Sequence, residues 1–293
     1  MVFETDRKTD YLETIHTTFP GIDIHSARPL SHDGEFNDIL IINDELVFRF
    51  PRFAENLPGF LREIQLLAKL QAHLPLPIPD PIYTSATTTG LGKVCMGYRL
   101  IPGQPLYPEM MNNFKNEVIL LGLARQLADF LSVLHHLTPA TLGLDVPSQN
   151  MPDWVRTFYG EVREHLFPFI RHAACQALSE HFEDYFHTPA LQHYQPAILH
   201  GDFGGSNILI DNNRISAILD FSSAGYGDPA LDIASVSTYG EHFFSQFCRF
   251  YEPTEAQLDR AKFYRGIFAL EEALYGWKNE DLEAYKRGME QYI

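Results

Sequence analysis

The sequence predicts an α+β fold, a small β-rich N-terminal region followed by a larger helical one. Short runs rich in Ile, Leu, Val and Phe fill the chain to about residue 100, and runs with helical spacing dominate beyond it. Pro102-Gly103 separates the two styles and reads as a hinge. With 293 residues, 45% apolar and 20% charged, the composition suits one large globular domain or two lobes.

In the N-terminal part, IDIHSARPL (22–30), DILII (38–42) and ELVFRF (45–50) read as strands, with Asn43-Asp44 as a tight hairpin turn between the last two. Residues 57–74 read as a helix because Leu61, Ile64, Leu67, Ala68 and Leu74 fall near helical spacing. LPLPIPDP (74–81) ends it, since proline has no N–H to continue the ladder. Further strands are expected at 81–85 and 93–101. Past the hinge, 117–137 and 153–182 read as helical, a strand-rich island sits at 198–220, and helices return from about 229. The expected division is a lobe over residues 1–101 with a hinge at about 98–103, then a helical lobe over residues 104–293.

Lys plus Arg number 22 and Asp plus Glu 38, a formal net charge of −16. Proteins that bind nucleic acid neutralise phosphates with Lys and Arg, so no nucleic-acid partner is expected; an acidic surface attracts cationic small molecules instead. Cys95, Cys175 and Cys248 are odd in number and widely spaced, which suits free thiols in a reducing compartment. The N-terminus opens with acids rather than a signal peptide, and no stretch approaches the roughly 18 apolar residues of a membrane span. A soluble, cytoplasmic monomer without a membrane partner is the expectation.

The island at 197–234 carries the chemistry. An apolar strand runs into His200-Gly201-Asp202, then a loop, Asn207 and a second strand. Asn212-Asn213 turns the chain back into RISAILD, which ends at Asp220. That hairpin would bring Asn207 close to Asp220, offering the oxygen ligands Mg²⁺ prefers beside substrate phosphates and water. Asp202, five residues before Asn207, is then placed to accept a hydroxyl proton as the acceptor attacks a phosphoryl group. Singly, Asp202 could be a turn residue, Asn207 a cap or turn and Asp220 a solvated acid at a strand end; together in a strand–loop–strand–turn–strand context they point to phosphoryl transfer.

At these residues the sequence resembles the aminoglycoside phosphotransferase branch of the protein-kinase-like fold. HGDFGGSN (200–207) is similar to that family's HGDxxxxN catalytic loop, and ILDFSSAGYGDPALDIA (218–234) to its metal-binding aspartate and GDPxxDxA element. LSVLHHL (131–137) resembles the helix preceding the catalytic region. SHDGEFND, FRFPR, LPLPIPDP and YGW look closest to the enzymes that modify the 2″-hydroxyl of aminoglycosides. The resemblance implies a bilobal kinase-like fold, Asp202 as base, Asn207 and Asp220 as Mg²⁺ ligands, and ATP or GTP as donor. It makes His200, Asp228 and Asp232 structural, the two acids as caps of backbone N–H groups.

A kinase also needs a cation against the nucleotide phosphates and an acid to hold it. The resemblance pairs Arg49 with Glu63, although family members commonly carry Lys at the first position, and Arg binds phosphate in a different geometry. The loop SHDGEFND, with Ser31 and Gly34, would cover phosphates with backbone N–H groups, and Tyr98, Leu100 and Ile101 would meet the purine at the hinge. Glu241, Glu271, Glu272 and Trp277 are candidates for a cationic acceptor, by carboxylate pairing and stacking. Three readings compete: an aminoglycoside kinase, a same-fold kinase of another small molecule such as a macrolide, amino alcohol, homoserine or sugar, and a kinase-like binding protein without turnover.

Overall fold

The computed structural model describes residues 5–30, 37–85, 90–114 and 116–293. In chain order the first elements are α1 (Thr5–Thr18), β1 (Ala27–Pro29), β2 (Asn37–Ile42), β3 (Leu46–Pro51), α2 (Leu57–Leu70), β4 (Tyr83–Ser85), β5 (Cys95–Arg99) and β6 (Gln104–Pro105). Then come α3 (Glu117–His136), α4 (Pro139–Leu142), α5 (Met151–His165), α6 (His172–His187), α7 (Pro189–Gln192) and β7 (Ala197–Leu199). The remainder holds β8 (Ile208–Asp211), β9 (Arg214–Ile218), β10 (Gly225–Gly227), α8 (Ala230–Val236), α9 (Glu241–Tyr251), α10 (Glu255–Lys278) and α11 (Leu282–Met289).

Contacts divide the chain into two compact units: residues up to Leu106 with Gly205–Ser223, and Tyr107–Gly204 with Ala224–Ile293. The sequence reading put 205–223 in the helical lobe. It groups with the strands because β6 pairs with β8, β8 with β9, and the Ile218 N–H donates to the Pro77 carbonyl at 3.0 Å.

The strand-rich unit is built on an antiparallel sheet in the order β1-β2-β3-β5-β4. Asn43 and Asp44 take positive φ, 55° and 53°, as a tight hairpin turn between β2 and β3 requires. The strand expected over 22–30 shrinks to Ala27–Pro29. Upstream, the Asn43 side chain accepts from the His25 and Ser26 N–H groups and donates to the Asp23 carbonyl, so that backbone is satisfied by a side chain rather than a ladder. Helix α1 was not expected. It contributes Tyr11 and Ile15 to a core with Leu40, Ile42, Phe48 and Phe50, and the Tyr11 ring stacks on Phe50 at 4.1 Å. Two core residues four apart on a polar helix are too few to stand out as an apolar period.

In the helical unit, α3 is capped by the Asn116 side chain, packs on α9 and β7, and buries Leu123, Leu127, Leu131 and Leu134 completely. Among the described residues it is the one helix long and apolar enough to cross a membrane, where the sequence reading expected none. The run at 153–182 is two helices, α5 and α6, broken around a 3₁₀ turn at Phe167–Phe169 whose Pro168 cannot donate to a continuing helix. Helix α10 starts on a capping box between Thr254 and Gln257. Its far half crosses α11 at two glycines. A Cβ on Gly276 would stand 2.2 Å from the Tyr285 nitrogen, and one on Gly288 2.3 Å from the Ala273 nitrogen.

Candidate active site

In the strand-rich unit, the β8–β9 hairpin turns at Asn212 and Asn213 with φ of 48° and 62°. Ile208 pairs with Ile218, and the Leu219 N–H donates to the Asn207 carbonyl at 2.7 Å. Asn207 and Asp220 are therefore neighbours across the strand pair. Asp220 itself takes a left-handed φ of 58°, which Asp tolerates better than most residues. An amide oxygen and a carboxylate at this point are hard donors of the kind Mg²⁺ takes along with phosphate oxygens and water, so the pair fits that ion.

Arg49, on β3, is 4% exposed and donates to Glu63 of α2 at 2.6 Å. Its other Nη reaches Asp220 at 3.2 Å, a contact that spacing alone did not reveal. The guanidinium thus bridges the α2 carboxylate and the Asp220 carboxylate. Burial raises the Glu63 carboxyl above its usual range against the pull of Arg49; Glu63 Oε1 also accepts from the Phe221 N–H, while Oε2 is buried with no hydrogen bond among the described residues. Tyr98 is buried, and that burial pushes its hydroxyl up to about 12. Its neighbour Leu100 gives its N–H to the Glu45 carbonyl at 2.7 Å, so this amide, expected to meet a purine, already has a partner. Ile101 is half-buried beyond the end of β5. Ser31 and Gly34 lie outside the described residues.

In the helical unit, β7 delivers His200-Gly201-Asp202, with Gly201 at a φ of 81° that favours glycine. The Asp232 carboxylate, fully buried on α8, accepts from the His200 N–H at 2.8 Å and the Gly201 N–H at 2.9 Å. His135, from the end of α3, reaches the same carboxylate with Nε2 at 3.0 Å. Burial alone would raise the Asp232 carboxyl, but the bonds and charge from His135 and His200 outweigh it and hold it below the usual range. Asp232 thus holds the loop that carries Asp202 rather than capping its own helix. Asp228 does cap, accepting from the Ala230 N–H at 3.0 Å. It is also held by Arg260 Nε at 2.7 Å, Arg260 Nη2 at 3.2 Å and the Tyr264 hydroxyl at 3.1 Å, all in the interior. The sequence reading did not anticipate His135 and Arg260 as supports; the one signal was that His135 falls within LSVLHHL (131–137).

The acceptor candidates separate. Glu271 is half-buried, and burial together with the charge of Asp202 pushes its carboxyl up to about 8. Glu272 pairs with Arg287 at 2.6 Å, so the two adjacent acids do not act as a pair. Trp277 stacks on His165 at 3.9 Å, which takes up one of its faces. Glu241 is exposed at the first turn of α9.

A carboxyl that binds its proton more tightly when folded adds stability at low pH and loses it as pH rises from its usual 4.5 toward 8. Glu271→Gln is therefore expected to flatten the fall in stability between pH 5 and pH 9 by about 2 kcal/mol, tempered by partial exposure. Urea unfolding of both proteins at the two pH values measures it; parallel pH profiles would contradict it.

What the two units carry is the equipment of a phosphotransferase with a protein-kinase-like fold, acting on hydroxyl groups. The chain belongs to the phosphotransferase enzyme family APH, which its residues 26–264 match. It is 27% identical over 270 residues to the viomycin phosphotransferase of Streptomyces vinaceus, spanning 89% of this chain and 91% of that one. The solved GDP and kanamycin complex of APH(2″)-IIIa matches with a TM-score of 0.88 at 26% identity over 96% of each chain. The macrolide 2′-phosphotransferase MphH from Brachybacterium faecium shares the fold at a TM-score of 0.71 and 19% identity, over 95% of this chain and 96% of that one.

Proposed function

We propose that the protein transfers the γ-phosphoryl group of ATP or GTP to a hydroxyl of an aminoglycoside, in the cytoplasm and as a monomer. The observation that carries this reading is the catalytic loop itself, with Asp202 on a backbone held by Asp232 and with a half-buried acid, Glu271, influenced by its charge. Asp202 accepts the proton of the acceptor hydroxyl as that oxygen attacks phosphorus. Glu271 meets an ammonium group of the acceptor, whose charge favours the ionised carboxylate that burial otherwise opposes. Glu241 and the open face of Trp277 add to the acceptor side. The net charge of −16 supports a cationic acceptor over a neutral macrolide.

Asn207 and Asp220 would hold Mg²⁺, which supplies neutralising charge to the donor phosphates when bound. Arg49 keeps Asp220 and Glu63 in register, and so sets the carboxylate that would serve the donor phosphates. A lysine has one nitrogen and cannot span both acids in the same fork. Arg49→Lys is expected to raise the nucleotide KM about tenfold with a smaller change in kcat; an unchanged KM would leave Arg49 a purely structural role.

A coupled assay of nucleoside diphosphate release, run with ATP and with GTP, tests the whole reading. Its acceptor panel comprises aminoglycosides, macrolides and amino alcohols. Turnover confined to macrolides, or absent with every acceptor, would overturn it.

A further inference from the structure

We infer that Ser216 and Gly103 are positioning residues for the Asn207–Asp220 pair, acting through an irregularity in the β8–β9 hairpin. From the turn outward the first pairs are Asp211 with Arg214 and Ile210 with Ile215. Continued without a break, that register would set Leu209 against Ser216 and Asn207 against Ile218. Instead Leu209 pairs with Ala217 and Ile208 with Ile218, so Ser216 is an extra residue on β9, a β-bulge. The shift by one residue brings Leu219 beside Asn207, where its N–H meets the Asn207 carbonyl at 2.7 Å, with Asp220 directly after it. Displacing a strand by one residue turns each side chain to the other face, so the bulge decides where Asp220 leaves the strand pair.

What holds the bulge in place comes from the other edge of β8. There β6 pairs Gln104 with Ile210 and Pro105 with Leu209, and the Leu106 N–H donates to the Ile208 carbonyl at 2.8 Å. The residue just before β6 is Gly103, at a φ of 142° that favours glycine. A Cβ on it would stand 2.5 Å from Ser216 Oγ, 3.1 Å from the Ile210 carbonyl oxygen and 3.1 Å from Leu209 Cβ. The Ser216 side chain therefore reaches across β8 to the Gly103 backbone. Its Oγ is buried and makes no hydrogen bond among the described residues, so it acts there through its bulk. Leu209 and Ile210 are the two residues between which the register shifts. Gly103 thus lies against both sides of the shift and against the extra residue itself, which only a residue without a side chain can do.

Gly103→Ala is expected to push the bulge away from β6 and so misplace Asp220. In metal-free protein, amide hydrogen exchange at Leu219 and Phe221, followed by NMR, should quicken about fivefold or more. Mn²⁺ affinity, read from the free-ion EPR signal with ADP and with GDP, should weaken about tenfold, while nucleotide affinity in EDTA stays within about twofold. Ser216→Gly removes the atom nearest the added Cβ, at a bulge where glycine is tolerated. Combined with Gly103→Ala it should recover most of both losses. Ser216→Val loads the same contact from β9 without straining Gly103, so the same two losses are expected, and it decides the matter should Gly103→Ala not fold. Unchanged exchange in both Gly103→Ala and Ser216→Val, or no recovery in the double variant, overturns the inference. So does quickened exchange with unchanged Mn²⁺ affinity where Asp220→Ala loses it. The metal measurement rests on Asn207 and Asp220 being the Mg²⁺ ligands, whereas the exchange measurement does not. If Asp220→Ala kept its Mn²⁺ affinity, that assignment would fail, and the Leu219 and Phe221 amides would still decide what places the hairpin.

Discussion

Asp202→Asn is expected to lower kcat by roughly a thousandfold, the scale of a lost general base, with folding and nucleotide affinity unchanged. The fold should survive because the loop backbone is held from outside: Asp232 takes the His200 and Gly201 N–H groups, and neither bond involves the Asp202 carboxylate. An amide in place of the carboxylate has nearly the same shape but cannot accept the acceptor's proton. A second readout comes from Glu271, whose carboxyl is raised partly by the Asp202 charge and should fall toward its usual range once that charge is gone. Activity within a few-fold of wild type, measured by coupled assay at saturating substrates, would remove Asp202 from the reaction.

Arg260→Met should be the most damaging of these substitutions for stability. Asp228 is fully buried, and Arg260 supplies two of its bonds from a side chain only 5% exposed. Removing one partner of such a pair leaves an uncompensated carboxylate in the interior, at a cost of about 3–5 kcal/mol. The Tyr264 hydroxyl and the Ala230 N–H remain, but neither carries a full charge. Urea denaturation measures the loss, and Asp228→Asn combined with Arg260→Met should recover part of it because the stranded charge is then gone. A loss below about 1 kcal/mol for the single variant would mean that water reaches Asp228.

Much of this architecture was legible in the sequence, for identifiable physical reasons. The paired turns Asn43-Asp44 and Asn212-Asn213 are residue types that tolerate positive φ, and both turn where expected. The proximity of Asn207 and Asp220 followed from counting along one hairpin. Local signals failed where partners come from far along the chain. Helix α1 has a polar surface and is held by Tyr11 and Ile15 against strands more than twenty residues away. The kinship of 205–223 with the strands depends on pairing with β6, about a hundred residues earlier. The acid pair Glu271 and Glu272 looked like one feature, yet helical geometry turns adjacent residues to different neighbours, one influenced by Asp202 and the other bound to Arg287. Arg49 was paired correctly with Glu63; its reach to Asp220 spans 171 positions and has no trace in spacing.

The glycine crossing of α10 and α11 bears on the proposed acceptor side of the protein. Helices that meet through Gly276 and Gly288 touch backbone to backbone, with no side chains between them to yield. The stretch that displays Glu271, Glu272 and Trp277 is consequently a stiff rail. On the acceptor role proposed above, a bulkier acceptor would be accommodated by exchanging or rotating the side chains this rail displays, by discrete replacements rather than by gradual loosening of the helices.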